Sequence, residues 1–267
     1  MEFLIPLKDI VIEPGKRLDP SAGSEEEVVA LIKKTYGFIA ETMEISVQEG
    51  VVRIKFKDAT PEKVNEALAK LKKAVKEGQE GRLLKALKLF QEVLAVIPEH
   101  IDARRNLAKT YLELGNLDKA KKHLNECIQI NPKDFWSYIM LGNIYARNER
   151  NLDVAEFYYE KGIEINPEDA MVLNNYANLM MEKGNFAKAE ENFKKSLKLN
   201  AGYPHTYFGL ALLYRMAGHP EESLQVLERL LSTLPNVQGI ESSQVYKEAK
   251  DLYREIKKEM DSKATVH

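Results

Sequence analysis

The sequence predicts a mainly α-helical protein, in which an array of helix-hairpin repeats lies between a small N-terminal α/β unit and a C-terminal helix. Prolines recur at spacings of 34, 35 and 68 residues, as Pro98, Pro132, Pro167 and Pro235. A glycine recurs once in most repeats, as Gly115, Gly184 and Gly218. A constant period near this length is typical of helix pairs that stack on their neighbours.

The residues between these markers repeat in size. Twelve positions before each proline slot, counting Ala201 as one such slot, stand the small residues Ala86, Ala120, Ala155, Ala189 and Ser223. Eight positions before it stand the large apolar residues Phe90, Leu124, Tyr159, Phe193 and Leu227. Small residues let helix axes approach and large ones fill the adjacent space. The pattern therefore predicts two packed helices per repeat, the first ended by glycine and the second by proline.

The chain resembles the tetratricopeptide repeat (TPR) family in these slots, and in the Leu107 and Tyr111 series of the first helices. The resemblance covers residues 61–237. It consists of a degenerate unit at 61–100 and full repeats at 101–134, 135–169, 170–203 and 204–237. Arg150 and Asn151 are interpreted as carrying a one-residue insertion in the second repeat's turn. The resemblance implies a helical solenoid whose first helices line a groove.

The two ends do not follow the repeat. Residues 1–58 predict a small β-α-β-β domain. It has a strand over Phe3–Ile12, either continuous or bulged or broken near Pro6, and a loop over Pro14–Ser21. A helix then runs from the capping box at Ser24 to about Met43, and a hairpin follows around Glu49-Gly50. Residues 241–261 predict an amphipathic helix that caps the last repeat, as repeat arrays require.

Composition excludes several classes of protein. The 267 residues carry 39 Lys and Arg against 41 Asp and Glu, a formal net charge of −2, which disfavours a general polyanion binder. No uninterrupted apolar stretch is long enough to span a membrane. A single cysteine, Cys127, and an N-terminus unlike a signal peptide favour a cytoplasmic location.

The resemblance makes the groove the candidate functional surface. Counting along the first helices gives its lining as Arg105, Asn106, Lys109, Trp136, Ile139, Met140, Asn143, Met171, Asn174, Asn175, Asn178, His205, Phe208 and Leu212. Asparagine carries a donor and an acceptor, so these amides either bind a peptide backbone or stiffen the array through contacts between repeats. Trp136, Met140, Met171 and Phe208 either anchor a partner or are buried between helices.

The sequence offers no chemistry of its own. No catalytic residue, metal site or cofactor is predicted, because the histidines lack metal-ligand spacing and Cys127 occupies a packing slot. The lysine and arginine slots of the family's carboxylate clamp are also unfilled, so we expect no such clamp.

These patterns favour a non-enzymatic scaffold or adaptor that binds a peptide segment of another protein. The alternative is a nucleic-acid-associated regulator that acts through the basic stripe of Arg53, Lys55 and Lys57. The competing interpretation of this stripe is a solvated strand face on which lysine protects a sheet edge. We expect no membrane association. Self-association through the C-terminal helix, with Tyr246 and Tyr253, stays open.

Overall fold

A computed structural model describes residues 2–6, 11–13, 16–17, 24–35, 43–48, 50–56, 61–233 and 243–264. The chain forms two compact units, Met1–Ser137 and Tyr138–His267, each of which is considered by itself. The predicted fold class, mainly α with an N-terminal α/β unit and a C-terminal helix, is confirmed.

Twelve α-helices and five strands lie within the described residues. The N-terminal elements are β1 (Glu2–Pro6), β2 (Val11–Glu13), β3 (Lys16–Arg17), α1 (Glu25–Thr35), β4 (Met43–Gln48) and β5 (Val51–Phe56). The helices that follow are α2 (Pro61–Gln79), α3 (Leu83–Val96), α4 (Ile101–Glu113), α5 (Leu117–Ile130), α6 (Phe135–Asn143), α7 (Leu152–Ile165), α8 (Ala170–Glu182), α9 (Phe186–Leu199), α10 (Pro204–Met216), α11 (Pro220–Thr233) and α12 (Gln244–Ala264).

The N-terminal elements form a three-stranded antiparallel sheet in the order β1-β5-β4, with β2 and β3 as a separate pair. Val28 and Ile32 of α1 pack on Val47 and Val52 of the sheet, and all four are buried. The capping box at Ser24 is confirmed: its backbone amide donates to Glu27 Oε2 at 2.8 Å, and its hydroxyl accepts from the Glu27 amide.

Three expectations for this region are wrong. The helix does not extend to Met43, because Met43 begins β4 and pairs with Phe56. Lys16–Arg17 is a strand rather than a loop, since it pairs with Val11–Glu13. Lys55 does not stand on a sheet edge, because its strand β5 is the central strand of the three.

The repeat slots have the predicted roles. The five small residues and the five large apolar residues of the second helices are all buried. In the first helices Leu107 and Tyr111 are likewise buried. The two size classes therefore mark the contacts within and between helix pairs, as the spacing predicts.

Glycines stand where rings leave no room for a Cβ. A Cβ built at Gly209 of α10 would lie 2.7 Å from two ring atoms of Phe193, and one at Gly142 of α6 would lie 2.6 Å from Tyr159. Phe193 and Tyr159 are fully enclosed, so neither ring has space to move aside. The helix backbones approach this closely because the side chain is missing.

The turns between paired helices share one form. The amide of Asn116 donates to the Tyr111 carbonyl, five residues earlier, after a positive-φ Gly115. Asn116 then caps α5 through its side chain. Asn185 makes the same bonds after Gly184.

The second repeat departs from this form by one residue. Asn151 caps α7 in the same way, but its amide donates to Tyr145, six residues earlier. Arg150 takes the glycine position with φ of 55°. The extra residue is therefore absorbed before Arg150, in a π-helical segment over Ile144–Asn148, which we call the π-turn.

In the degenerate repeat at 61–100, the turn between α2 and α3 contains a glycine and is also stabilised by ion pairs. Gly81 has φ of 75°, and the Glu77 carboxylate contacts Arg82 Nε and lies 2.9 Å from Lys85 Nζ. Hydrogen bonds from these two cations lower the pKa of Glu77 to about 2.

The C-terminal helix packs on α10 and α11. Its residues Tyr246, Ala249, Leu252 and Ile256 are buried against a cluster that includes Leu227. Arg215 of α10 pairs with Glu255 and Glu259 of α12 at 3.0 and 2.8 Å. Because Tyr246 is buried here, it is not available for the self-association that its sequence position suggests.

We expect Gly209→Ala to lower the free energy of unfolding by about 1–3 kcal/mol, because the added methyl group overlaps the Phe193 ring. The matched control is Gly78→Ala in α2, where the new Cβ would meet only Ala86 at 3.8 Å. That change should stabilise the protein by about 0.5–1 kcal/mol. Urea unfolding of both variants measures the difference, and equal effects would contradict the packing argument.

Glu77 should make stability depend on pH. Its pKa in the folded protein, about 2, is below the ordinary value of 4.5. The stabilisation is therefore complete above pH 4.5 and is lost as the pH falls towards 2. In urea unfolding across this range, the wild-type protein should lose more stability than Glu77→Gln. Parallel pH profiles of the two proteins would contradict this assignment.

Candidate functional site

The predicted lining residues lie on the first helices of the hairpins, α4, α6, α8 and α10, and their environments differ sharply. In the compact unit Met1–Ser137, Arg105 lies 3.1 Å from the buried carboxylate of Asp134 and also contacts Asp102. The Asn106 amide nitrogen donates to the Asp102 carbonyl of its own helix at 2.8 Å. Lys109 is exposed and lies 3.9 Å from Glu113. Arg105 and Asn106 are thus engaged within the chain.

Trp136 is the most exposed aromatic residue among the candidates. Its side chain is 47% accessible, and its ring meets the buried Phe135 edge-on with centroids 5.2 Å apart. An indole held on one side by a buried ring and open on the other can contact a partner at a small cost in conformational entropy.

Four asparagines of the second unit form what we call the asparagine cluster: Asn143, Asn174, Asn175 and Asn178. Asn143 Oδ1 accepts from the Tyr159 hydroxyl at 2.7 Å and from Asn175 Nδ2 at 3.2 Å. This bond joins α6 to α8 and hence two successive repeats. The contacts of Asn143 and Asn175 match the interpretation that these amides stiffen the array by joining neighbouring repeats.

Asn174 differs from its neighbours. It is 4% exposed, and its Oδ1 has no hydrogen-bond partner among the described residues. Its Nδ2 is 3.5 Å from Asn175 Oδ1, a long bond, and its backbone carbonyl accepts from Asn178 Nδ2 at 2.9 Å. A buried acceptor without a donor costs about 1–3 kcal/mol of stability, so this oxygen calls for an explanation.

The apolar candidates are less open than the groove assignment predicts. Ile139 is buried and fills the space above Gly162, so it does not line a groove. Met140, Met171 and Leu212 are half-buried. Phe208 is half-buried against the cluster beneath α12. His205 is exposed beside Tyr203, with ring centroids 5.4 Å apart.

Counting along the helices did not include two further residues of the unit Tyr138–His267. Arg147 lies in the π-turn, beyond the last position counted, and Tyr203 precedes the first residue of α10. The signal for Arg147 was available in the sequence, because the insertion noted at Arg150 changes which residues end that helix.

Other candidate chemistry is weak. Burial raises the pKa of the Cys127 thiol to about 11, so it is not a ready nucleophile. Among the described residues no group of three or more His, Cys, Asp or Glu is arranged to hold a metal ion. In the N-terminal sheet, Arg53 and Lys55 belong to the central strand β5, and Lys57 lies outside the described residues. No observation on the described residues supports the nucleic-acid alternative.

Comparison with known families decides the classification. Three tetratricopeptide repeat models match residues 79–141, 137–169 and 168–236, which together span more than half of the 267 residues. The chain belongs to the tetratricopeptide repeat family. The N-terminal segment is matched by none of these TPR models.

Individual relatives share the TPR region. A TPR repeat-containing protein of Methanocaldococcus jannaschii is 25% identical over 203 residues, covering 57% of this chain and 36% of its own length. Human protein O-mannosyl-transferase TMTC3 is 26% identical, covering 61% of this chain and 20% of its own. The solved structure of a thermophilic TPR protein in Thermus thermophilus is 25% identical with a TM-score of 0.56, covering 68% of this chain and 98% of its own.

The chain thus spans about a third or less of the length of these curated relatives. The similarity to TMTC3 leaves most of that protein unmatched. Across the described residues, no helix combines the length and apolar character needed to cross a membrane.

The bond between Asn143 and its neighbours can be tested by stability. Asn143→Ala leaves the Tyr159 hydroxyl and Asn175 Nδ2 without their acceptor, so we expect a loss of about 1–3 kcal/mol in urea unfolding. The matched control is Asn106→Ala, whose amide bonds only its own helix. It should cost clearly less, and an equal loss would argue against the bridge between repeats.

Proposed function

We propose that this protein is a non-enzymatic interaction scaffold of the cytoplasm that binds an extended peptide segment of another protein. Tetratricopeptide repeats are mainly scaffolds that bind proteins or peptides. The observation that carries the proposal for this chain is Asn174, whose buried amide oxygen has no donor among the residues that the structure describes. The binding surface proposed for the second unit is the asparagine cluster.

The Asn174 oxygen supports peptide binding because burying it without a donor lowers the stability of the free protein. A buried amide oxygen without a donor carries its full desolvation cost, which an apolar residue of similar shape does not have. Asn174 contributes one long bond in return for that cost. A backbone N–H of a bound segment would supply the missing donor.

The neighbouring amides suit the same ligand. The Asn143 oxygen is already shared by two donors, which leaves its amide nitrogen to donate to a peptide carbonyl. Bonds of this kind read the peptide backbone and not its side chains, so they favour extended segments of varied sequence. Trp136 of the first unit is proposed separately as an apolar contact for the partner.

The absence of enzymatic activity is part of the proposal. The transferase similarity covers 20% of that relative, so its activity is not carried over. The raised pKa of Cys127 also weighs against thiol chemistry.

Peptide selection tests the proposal. The full chain is incubated with a synthetic array of random dodecapeptides with amidated C-termini, and the strongest binder is remade for calorimetry. We expect Asn174→Leu to weaken its binding about tenfold while unfolding stability changes little, because losing the orphaned acceptor offsets losing the long bond to Asn175 Oδ1. Trp136→Ala should also weaken binding.

The matched control for Trp136 is Phe157→Ala. Phe157 is 53% exposed, but it lies on the second helix α7 and outside the proposed surface. The Phe157→Ala variant should bind the peptide with the same affinity as the wild-type protein. Unchanged affinity in Asn174→Leu would reject the asparagine cluster as a binding surface, and unchanged affinity in Trp136→Ala would reject the separate Trp136 contact. An array without any binder would reject peptide capture itself.

A further inference from the structure

The π-turn presents an arginine that has no counterpart in the regular repeats. Arg147 occupies the stretch that absorbs the extra residue, while Glu113 and Glu182 stand near the end of the corresponding helices α4 and α8. Its side chain is exposed, and within the described part of the chain it makes no hydrogen bond or ion pair. An arginine without a carboxylate is worth explaining in a chain whose other arginines are largely paired.

The helix itself locates Arg147. It follows Asn143 by four residues where α6 continues into the π-turn, so the two side chains lie on the same side of the helix. Burial raises the pKa of the Tyr159 and Tyr203 hydroxyls, and in both cases the positive charge of Arg147 opposes the shift. Both interactions agree with the position that the helix gives to Arg147. Because Tyr159 also donates to Asn143, this location is beside the asparagine cluster.

The acidic groups that act on the same hydroxyls are already engaged. Glu182 raises the pKa of Tyr159, but its carboxylate lies 3.3 Å from Arg150. Asp169 raises the pKa of Tyr203, but it caps α8 by accepting from two backbone amides at 2.9 Å. Both carboxylates thus have partners other than Arg147.

We propose that Arg147 is a carboxylate-binding residue, and that the segment bound at the asparagine cluster carries an acidic group opposite it. A planar guanidinium binds a carboxylate through two parallel hydrogen bonds, and one arginine is sufficient for that geometry. Recognition of a phosphorylated segment generally uses a cluster of arginines, which favours a carboxylate here.

The inference rests on the proposed function and names its ligand class: an extended segment with an Asp or Glu side chain, or with a free C-terminal carboxylate. It differs from the family's carboxylate clamp in its residues, because its cation comes from the π-turn. Arg150 is on the same exposed turn but is paired with Glu182, so it provides a matched control for charge alone.

The test uses the full chain and three matched arrays of random dodecapeptides. One has Glu at a central position with an amidated C-terminus, one has Gln there with an amidated C-terminus, and one has Gln with a free carboxylate. We expect the wild-type protein to bind one carboxylate array about tenfold more strongly than the amidated Gln array. Which array is preferred identifies the side chain or the C-terminus as the source.

The variants decide between specific and general charge effects. In Arg147→Met the preference should disappear while binding of the amidated Gln array is retained. In Arg150→Met the preference should persist. A preference that survives in Arg147→Met, or that Arg150→Met removes equally, overturns the inference. Equal binding of all three arrays by the wild-type protein rejects Arg147 recognition but keeps peptide capture, whereas no binding to any array rejects both.

Discussion

The close approach of helix backbones at positions without a Cβ is the constraint on which the rest of the structure depends. Tyr159 lies against Gly142, and Phe193 lies against Gly209, at separations that no larger residue would permit. A ring packed against bare backbone excludes water and fixes the spacing of the helices at the same time. The first contact also prepares the site: with its ring over Gly142, Tyr159 places its hydroxyl on the adjacent Asn143.

Polar groups of the repeats fall into two sets according to whether the chain itself satisfies them. Arg105, Asn106 and Asn143 have partners within their own unit, and their first role is to hold helices in place. Within the described residues Asn174 and Arg147 lack such partners, one as a buried oxygen and the other as an exposed cation. Position on a first helix is therefore a weaker guide to function than an unmet bond.

Most of the repeat fold was predictable because the regular placement of small and large residues follows directly from the packing of neighbouring helices. A residue such as Ala86 or Phe90 has one environment that suits it, and periodic spacing identifies that environment without coordinates. Helix starts were equally clear, as at the Ser24 capping box. The end of that helix was placed near Met43, although Lys33, Lys34 and Gly37 form a stop signal beside its last residue, Thr35. The side-chain partners were harder to predict. Counting could place Arg105 and Ile139 on a first helix, but it could not show that Asp134 engages one and that Gly162 accommodates the other.

The π-turn has a further consequence for binding to a periodic surface. A row of similar amides can hold an extended backbone in several alignments that differ by one repeat, with nearly equal energies. Among the repeats that the structure describes, the π-turn occurs in one, so Arg147 is a landmark at a single point of the row. A local irregularity thereby breaks the translational symmetry of the array, and it can select one alignment of a ligand that the regular repeats alone would leave free to slide.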